Sequence, residues 1–196
     1  AALIMVNRID AGLLVLPAAL VRTYRTGWLE GAKAAAVGVI PLVAWELFSI
    51  VYYGFPFPNT AYAKLSTGIP LGEVASQGFA FLLNSAANDP LTLLAMGVFV
   101  SVALATGARV SWPIAFGIVL YVVCVVRVCG DFMSGRFLSA PLFCAAALFA
   151  RFELPWSPRF TSAVTATIFG LGVFATTRPP LTNQDGLADP PRGSGI

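Results

Sequence analysis

Histidine is absent from the 196-residue chain. That removes the commonest general base near neutral pH and the commonest zinc or haem ligand. Acid–base chemistry here falls to Asp, Glu, Lys or Tyr. Charge is also scarce, at 11% of residues, where an ordinary soluble domain carries about 25%. The net charge is only +3 and the basic residues are scattered. A nucleic-acid surface needs a basic patch or stripe, so nucleic-acid partners are not expected. Cysteine is limited to Cys124, Cys129 and Cys144, each in an apolar run. That spacing offers neither a disulfide framework nor a metal site, and packing is the expected role. No glycine-rich nucleotide-binding loop is visible.

What the chain has is apolar length. Hydrophobic residues make up 58% of it, and the mean hydropathy is +0.81. These values predict an all-α integral membrane protein. Apolar runs over 9–21, 31–53, 90–105, 111–128, 132–150 and 161–177 are candidate spans. The first and fifth are short or interrupted, which points to tilted, shielded or partly re-entrant segments. Between positions 68 and 84, Leu71, Val74, Ala75, Phe79 and Leu82 follow a helical period. That stretch reads either as a helix lying in the interface or as a connector packed on neighbouring spans.

Loop charge orients these spans. Arg22, Arg25, Lys33, Arg109, Arg151 and Arg159 fall in alternate loops. The positive-inside rule makes those loops cytoplasmic. The loops opening at Gly54 and Gly130, and the C-terminal tail, are then extracytoplasmic. Trp28, Trp112 and Trp156 fall at inner ends, and Tyr52 and Tyr53 at an outer end, where interfacial aromatics belong. Residues 1–177 read as part of a multi-spanning membrane domain, and 178–196, rich in Pro and Gly, as an extracytoplasmic linker towards a soluble domain. The chain opens Ala-Ala-Leu-Ile without Met, so it is expected to be a piece of a longer polypeptide.

Polar residues at membrane depth cost a few kcal/mol each and need a partner or a function. They collect at one level, the outer mouth. Arg8 and Asp10 open the first span, Glu46 lies in the outer half of the second, and Arg127 ends the fourth. The loop GDFMSGR, 130–136, carries Asp131 and Arg136 between bounding glycines that let the backbone bend tightly and approach a ligand. The segment GFPFPNTAYAKL, 54–65, is stiffened by Pro56 and Pro58 and ends near the single cation Lys64. Asn59 is placed to cap a short turn, and Tyr62 to stack on a sugar ring or to anchor in the interface. Ion pairing offers the plainer account: Arg8 with Asp10 or Glu46, and Arg127 with Asp131. Guanidinium and ammonium groups at one level equally suit an anion such as phosphate.

The runs PNTAYAK, 58–64, and GDFMSGR, with Arg8-Ile9-Asp10 opening a span, give this chain a family likeness. Over residues 8–177 it resembles the GT-C class of multi-spanning bacterial glycosyltransferases that use polyprenyl-phosphate sugars. Within that class the likeness is to arabinofuranosyltransferases of actinobacterial cell-wall arabinan. Related proteins have been tied to the flagellar motor. The resemblance implies an inverting enzyme of the bacterial cytoplasmic (inner) membrane, multi-pass, with its active face outside. It implies a polyprenyl-phosphate sugar donor and a cell-envelope glycan acceptor. It also implies a catalytic aspartate in an earlier extracytoplasmic loop, outside this chain, so that the piece alone is inactive and needs the remainder of its polypeptide.

On that reading Arg136 and Lys64 hold the donor phosphate and Arg127 assists. Asp131 orients Arg136 or meets a sugar hydroxyl, while Asn59 and Tyr62 contact sugar or acceptor. Arg8, Asp10 and Glu46 support the mouth. A divalent cation stays open, since Asp131 has no second carboxylate at a fixed spacing. Two other classes stay open too. A transporter or flippase for a lipid-linked glycan calls for polar groups near the midplane and often an inverted repeat, neither of which is visible. A structural partner of an envelope or flagellar assembly predicts loss of a complex, not of transfer, when Asp131 or Arg136 is changed.

Overall fold

The computed structural model describes residues 2–57, 61–62, 68–130, 136–152 and 157–174. Among them every regular element is helical. In chain order these are α1 (Ala2–Asn7), a 3-10 turn (Ile9–Ala11), α2 (Gly12–Thr26), α3 (Trp28–Tyr53), α4 (Leu71–Asn88), α5 (Pro90–Thr106), α6 (Ser111–Arg127), α7 (Ser139–Phe149) and α8 (Pro158–Phe174).

Local sequence sets the breaks. Arg8 is extended, at φ −148° and ψ 108°, and separates α1 from the 3-10 turn. Gly27, at φ +93°, divides α2 from α3. Gly54, at φ +77°, ends α3 in the left-handed conformation that glycine tolerates at a helix C-terminus, and its N–H donates to the Ile50 carbonyl. Asp89 and Pro90 start α5: the carboxylate accepts from the N–H groups of Leu91 and Thr92, and proline occupies the first helical position.

Helix α6 sits at the centre. It packs against α2, α4, α5 and α7, most extensively against α2. Glycine makes two of these approaches possible. A Cβ on Gly117 would lie 2.4 Å from the Leu14 carbonyl oxygen of α2. One on Gly78 of α4 would lie 2.2 Å from the Val126 carbonyl oxygen of α6. Real side chains do not approach backbone that closely, so these helices meet main chain to main chain, as small-residue interfaces allow in membranes. Leu14, Phe81, Met96, Phe99, Ala103, Ala115, Ile118, Tyr121, Val125, Leu138 and Ala145 fill the core around α6.

Several boundaries differ from the sequence expectation. The first run, 9–21, opens in the 3-10 turn Ile9–Ala11, and its helix begins only at Gly12 and continues to Thr26. The fifth is shorter: α7 starts at Ser139, so its 11 residues rise about 16 Å at 1.5 Å per residue. That falls well short of a ~30 Å hydrocarbon layer. Helix α4 does form, but its inward stripe is Val74, Gly78, Phe81 and Ser85. Leu71 and Phe79 point outward instead, at 67% and 59% exposure. The stripe is set by Gly78, whose bare backbone lets α6 come close.

Among the described helices only α3 is by itself long and apolar enough to cross a bilayer; α4 and α5 qualify together but are bent by 108° at Asp89. Six spans therefore exceed what these criteria give. Helices α6 and α7 are apolar but shorter. The part of the sixth run beyond Phe174, and the proposed linker 178–196, lie outside the described residues.

Candidate functional site

The break at Arg8 places its guanidinium where the start of α2, the end of α6 and the approach to α7 converge. Arg8 Nε donates to Asp10 Oδ1 at 3.2 Å, and Nη2 donates to Asp10 Oδ2 at 2.5 Å. Nη2 also donates to the Tyr121 hydroxyl at 2.7 Å, and that hydroxyl donates to Asp10 Oδ2 at 2.8 Å. Nη1 reaches the Arg136 carbonyl at 3.5 Å, a long contact. The guanidinium carbon sits 4.7 Å from the centroid of the Phe137 ring, within cation–π range.

The electrostatics follow from these contacts. Arg8 and Asp10 are each about a quarter to a third exposed and neutralise one another through a two-pronged bond. Asp10 therefore accepts from both partners on one oxygen and from Arg8 on the other. It is a poor candidate for a free general base. Arg8 likewise turns its fork inward and is a poor candidate for a two-pronged phosphate clamp. Two further arginines lie near this end of α6. Arg127, at the last turn of α6, is exposed, and its side chain forms no hydrogen bond among the described residues. The Arg136 side chain is also exposed.

Two successive left-handed residues close α6: Cys129 at φ +63° and Gly130 at φ +67°. Gly130 donates to the Val125 carbonyl at 2.9 Å, and a Cβ there would fall 2.4 Å from the Phe81 ring. Glycine is thus required at the first position of GDFMSGR by both backbone and space. On the far side of the same segment, Ser139 donates to the Arg136 carbonyl at 2.9 Å. Arg136 is held by its main chain at the entry to α7, next to Arg8.

The expected site residues divide as follows. Arg8, Asp10 and Arg136 come together. Glu46 does not join them. Arg8 pairs with Asp10, which removes the Arg8–Glu46 alternative, and Glu46 Oε2 is buried with no hydrogen-bond partner. Tyr62 is exposed and sits edge-on to Phe55 at 6.3 Å and near Phe57 at 6.2 Å. A second set of ring contacts joins the exposed Trp45, Phe48, Tyr52 and Tyr53 of α3, and exposed Tyr residues near a helix end are the pattern of an interfacial anchor. Asn59, Lys64 and Asp131 lie outside the described residues, and with them the Arg127–Asp131 pairing. No cluster of three or more His, Cys, Asp or Glu suited to a metal ion occurs among the described residues.

Tyr121 was not singled out from sequence, yet it is fully buried and bonds both members of the Arg8–Asp10 pair. One signal was available. It is the single phenol inside the apolar run 111–128, and a buried tyrosine hydroxyl requires a partner.

Comparison with known proteins adds a relationship at this point. No family model matches the chain, and no solved structure matches it. Its sequence is similar to the terminal beta-(1->2)-arabinofuranosyltransferase of Mycobacterium tuberculosis (strain ATCC 25618 / H37Rv), with 32% identity over 141 residues, 57% of this chain and 21% of that protein. The chain thus matches about a fifth of the length of this curated relative. The two proteins are distantly related.

Proposed function

We propose that this chain is a membrane portion of a glycosyltransferase, of arabinofuranosyl type. It moves a sugar from a polyprenyl-phosphate carrier to an extracytoplasmic glycan of the cell envelope. The observation that carries the reading is a meeting of motifs. Arg8 and Arg136 lie 128 positions apart, belong to separate runs behind the family likeness, and touch at one end of α6. The distant relationship to an arabinofuranosyltransferase supports the same chemistry. The chain lies in the bacterial inner membrane in a GT-C-like arrangement of about six crossings, several short and shielded by neighbours. The Arg8 end faces outward, and α2 and α6 run antiparallel as that orientation requires.

In this mechanism the donor's lipid tail lies among the helices and its phosphate meets the outer mouth. Arg136 and Lys64 bind the phosphate and Arg127 adds charge. An acceptor hydroxyl attacks the anomeric carbon from the face opposite the phosphate. The new glycosidic bond forms as the bond to the phosphate oxygen breaks. The polyprenyl phosphate leaves with that electron pair, and the hydroxyl proton passes to a carboxylate supplied by the rest of the polypeptide. Fixed cations at the leaving phosphate stabilise the charge that grows on it. Asn59 and Tyr62 contact the sugar or acceptor, and Asp131 orients Arg136 or meets a sugar hydroxyl.

The test is transfer by the full-length protein from synthetic polyprenyl-phosphate sugars. Arg136→Ala removes a charge-assisted contact worth roughly 1.5–3 kcal/mol, so kcat/KM should fall at least about tenfold with membrane insertion unchanged. Arg136→Lys should be impaired as well, because an ammonium lacks the two-pronged fork. Equal transfer by wild type and Arg136→Ala removes Arg136 from the site. No transfer across a panel of donor sugars rejects the enzyme reading.

A further inference from the structure

We propose that Arg8, Asp10 and Tyr121 form a clamp whose task is to position Arg136, with Tyr121 as its buried keystone. The inference rests on the reading of Arg136 as a phosphate ligand and assigns it a support that no motif announced. Three facts carry it. The Tyr121 hydroxyl gives its one proton to Asp10 and accepts from Arg8, so it fixes both members of the pair against α6. The opposite edge of Arg8 faces the Arg136 carbonyl and the Phe137 ring. Leu138, next along, is fully buried in the core, so the main chain at 136–138 is held from both sides.

A phosphate ligand on a loop works well only when its backbone is held within a fraction of an ångström. The clamp does this without touching the ligand. Tyr121, Arg8 and Asp10 are therefore positioning residues. Their loss should show mainly in donor binding and should depend on Arg136 being present.

The experiment is a double-mutant cycle in the full-length protein. Tyr121→Phe keeps the ring and deletes only the hydroxyl. It should raise the donor KM about tenfold, the effect of losing a charge-assisted hydrogen bond, and leave the acceptor KM unchanged. Combined with Arg136→Ala it should add nothing beyond Arg136→Ala alone, because the clamp reaches the donor only through the Arg136 guanidinium. A general structural role would instead give additive losses, and that result overturns the proposal. Arg8→Lys, which keeps the charge but not the fork, should match Tyr121→Phe.

A second measurement needs no turnover. Backbone amide exchange at 136–142 should speed up in Tyr121→Phe and Arg8→Lys while α5 stays as protected as in wild type. Unchanged exchange at 136–142 overturns the clamp even if transfer fails in every protein. Wild type without transfer, but with faster exchange in the variants, rejects the enzyme reading and keeps the clamp.

Discussion

A phenol deep in an apolar helix must find a partner for its hydroxyl, and Tyr121 finds two in a pair that opens the chain. The Arg8–Asp10 bond was legible because its members are two positions apart. The third member was not, because it lies 111 positions from Asp10 and only the packing of α2 on α6 brings it near. The pairing of Arg8 with Asp10 instead of Glu46 could not be chosen from sequence for a related reason. Depth along a helix can be counted from sequence, but the direction of its face depends on neighbours. The same holds for glycine. Gly78 sits in an ordinary-looking helical run, yet its Cα hydrogen faces the α6 backbone. Gly78→Ala should therefore force α4 and α6 apart and destabilise the protein by about 1–3 kcal/mol, seen as a lowered midpoint of thermal unfolding in detergent. Gly97, with open space around it, should accept the same change with little effect.

At the level of elements, the apolar runs located the helices well and their ends less well. Runs over 31–53, 90–105 and 111–128 became α3, α5 and α6 within a few residues. Hydropathy has no view of where a chain turns, so it missed the 3-10 turn at Ile9 and placed the start of α7 too early. Asp89 is the clearest case of local chemistry setting direction. Its carboxylate receives the Leu91 and Thr92 amides and the Thr92 hydroxyl, just where α4 gives way to α5. Asp89→Ala should cost about 1 kcal/mol through loss of the cap, while Asp89→Asn should retain most of it. Comparing the unfolding midpoints of the two variants checks this.

For the molecule as a whole, the sequence expectation of an apolar helical protein agrees with the fold, and sidedness is the next quantity to measure. With Cys124, Cys129 and Cys144 replaced by Ser or Ala, a single cysteine in place of Tyr53 should react with a membrane-impermeant maleimide in intact cells. One replacing Arg109 should react only after permeabilisation. The reverse pattern would turn the protein over and put the Arg8 cluster on the wrong face for an extracytoplasmic reaction. Lys64, Asn59 and Asp131 were named from their local runs, and what they meet depends on contacts that spacing along the chain does not give.

The central place of α6 also sets a timetable for biogenesis. Ribosomal synthesis is vectorial, so the α2–α3 hairpin emerges well before the helix it is built around. At about 5–20 residues per second, the 111 positions between Asp10 and Tyr121 correspond to roughly 5–20 s. Through that interval the first helices carry an ion pair whose third member has not been made. Arrival of α6 then supplies the close backbone contact at Gly117 and the hydroxyl together, so the Arg8–Asp10–Tyr121 cluster is completed late.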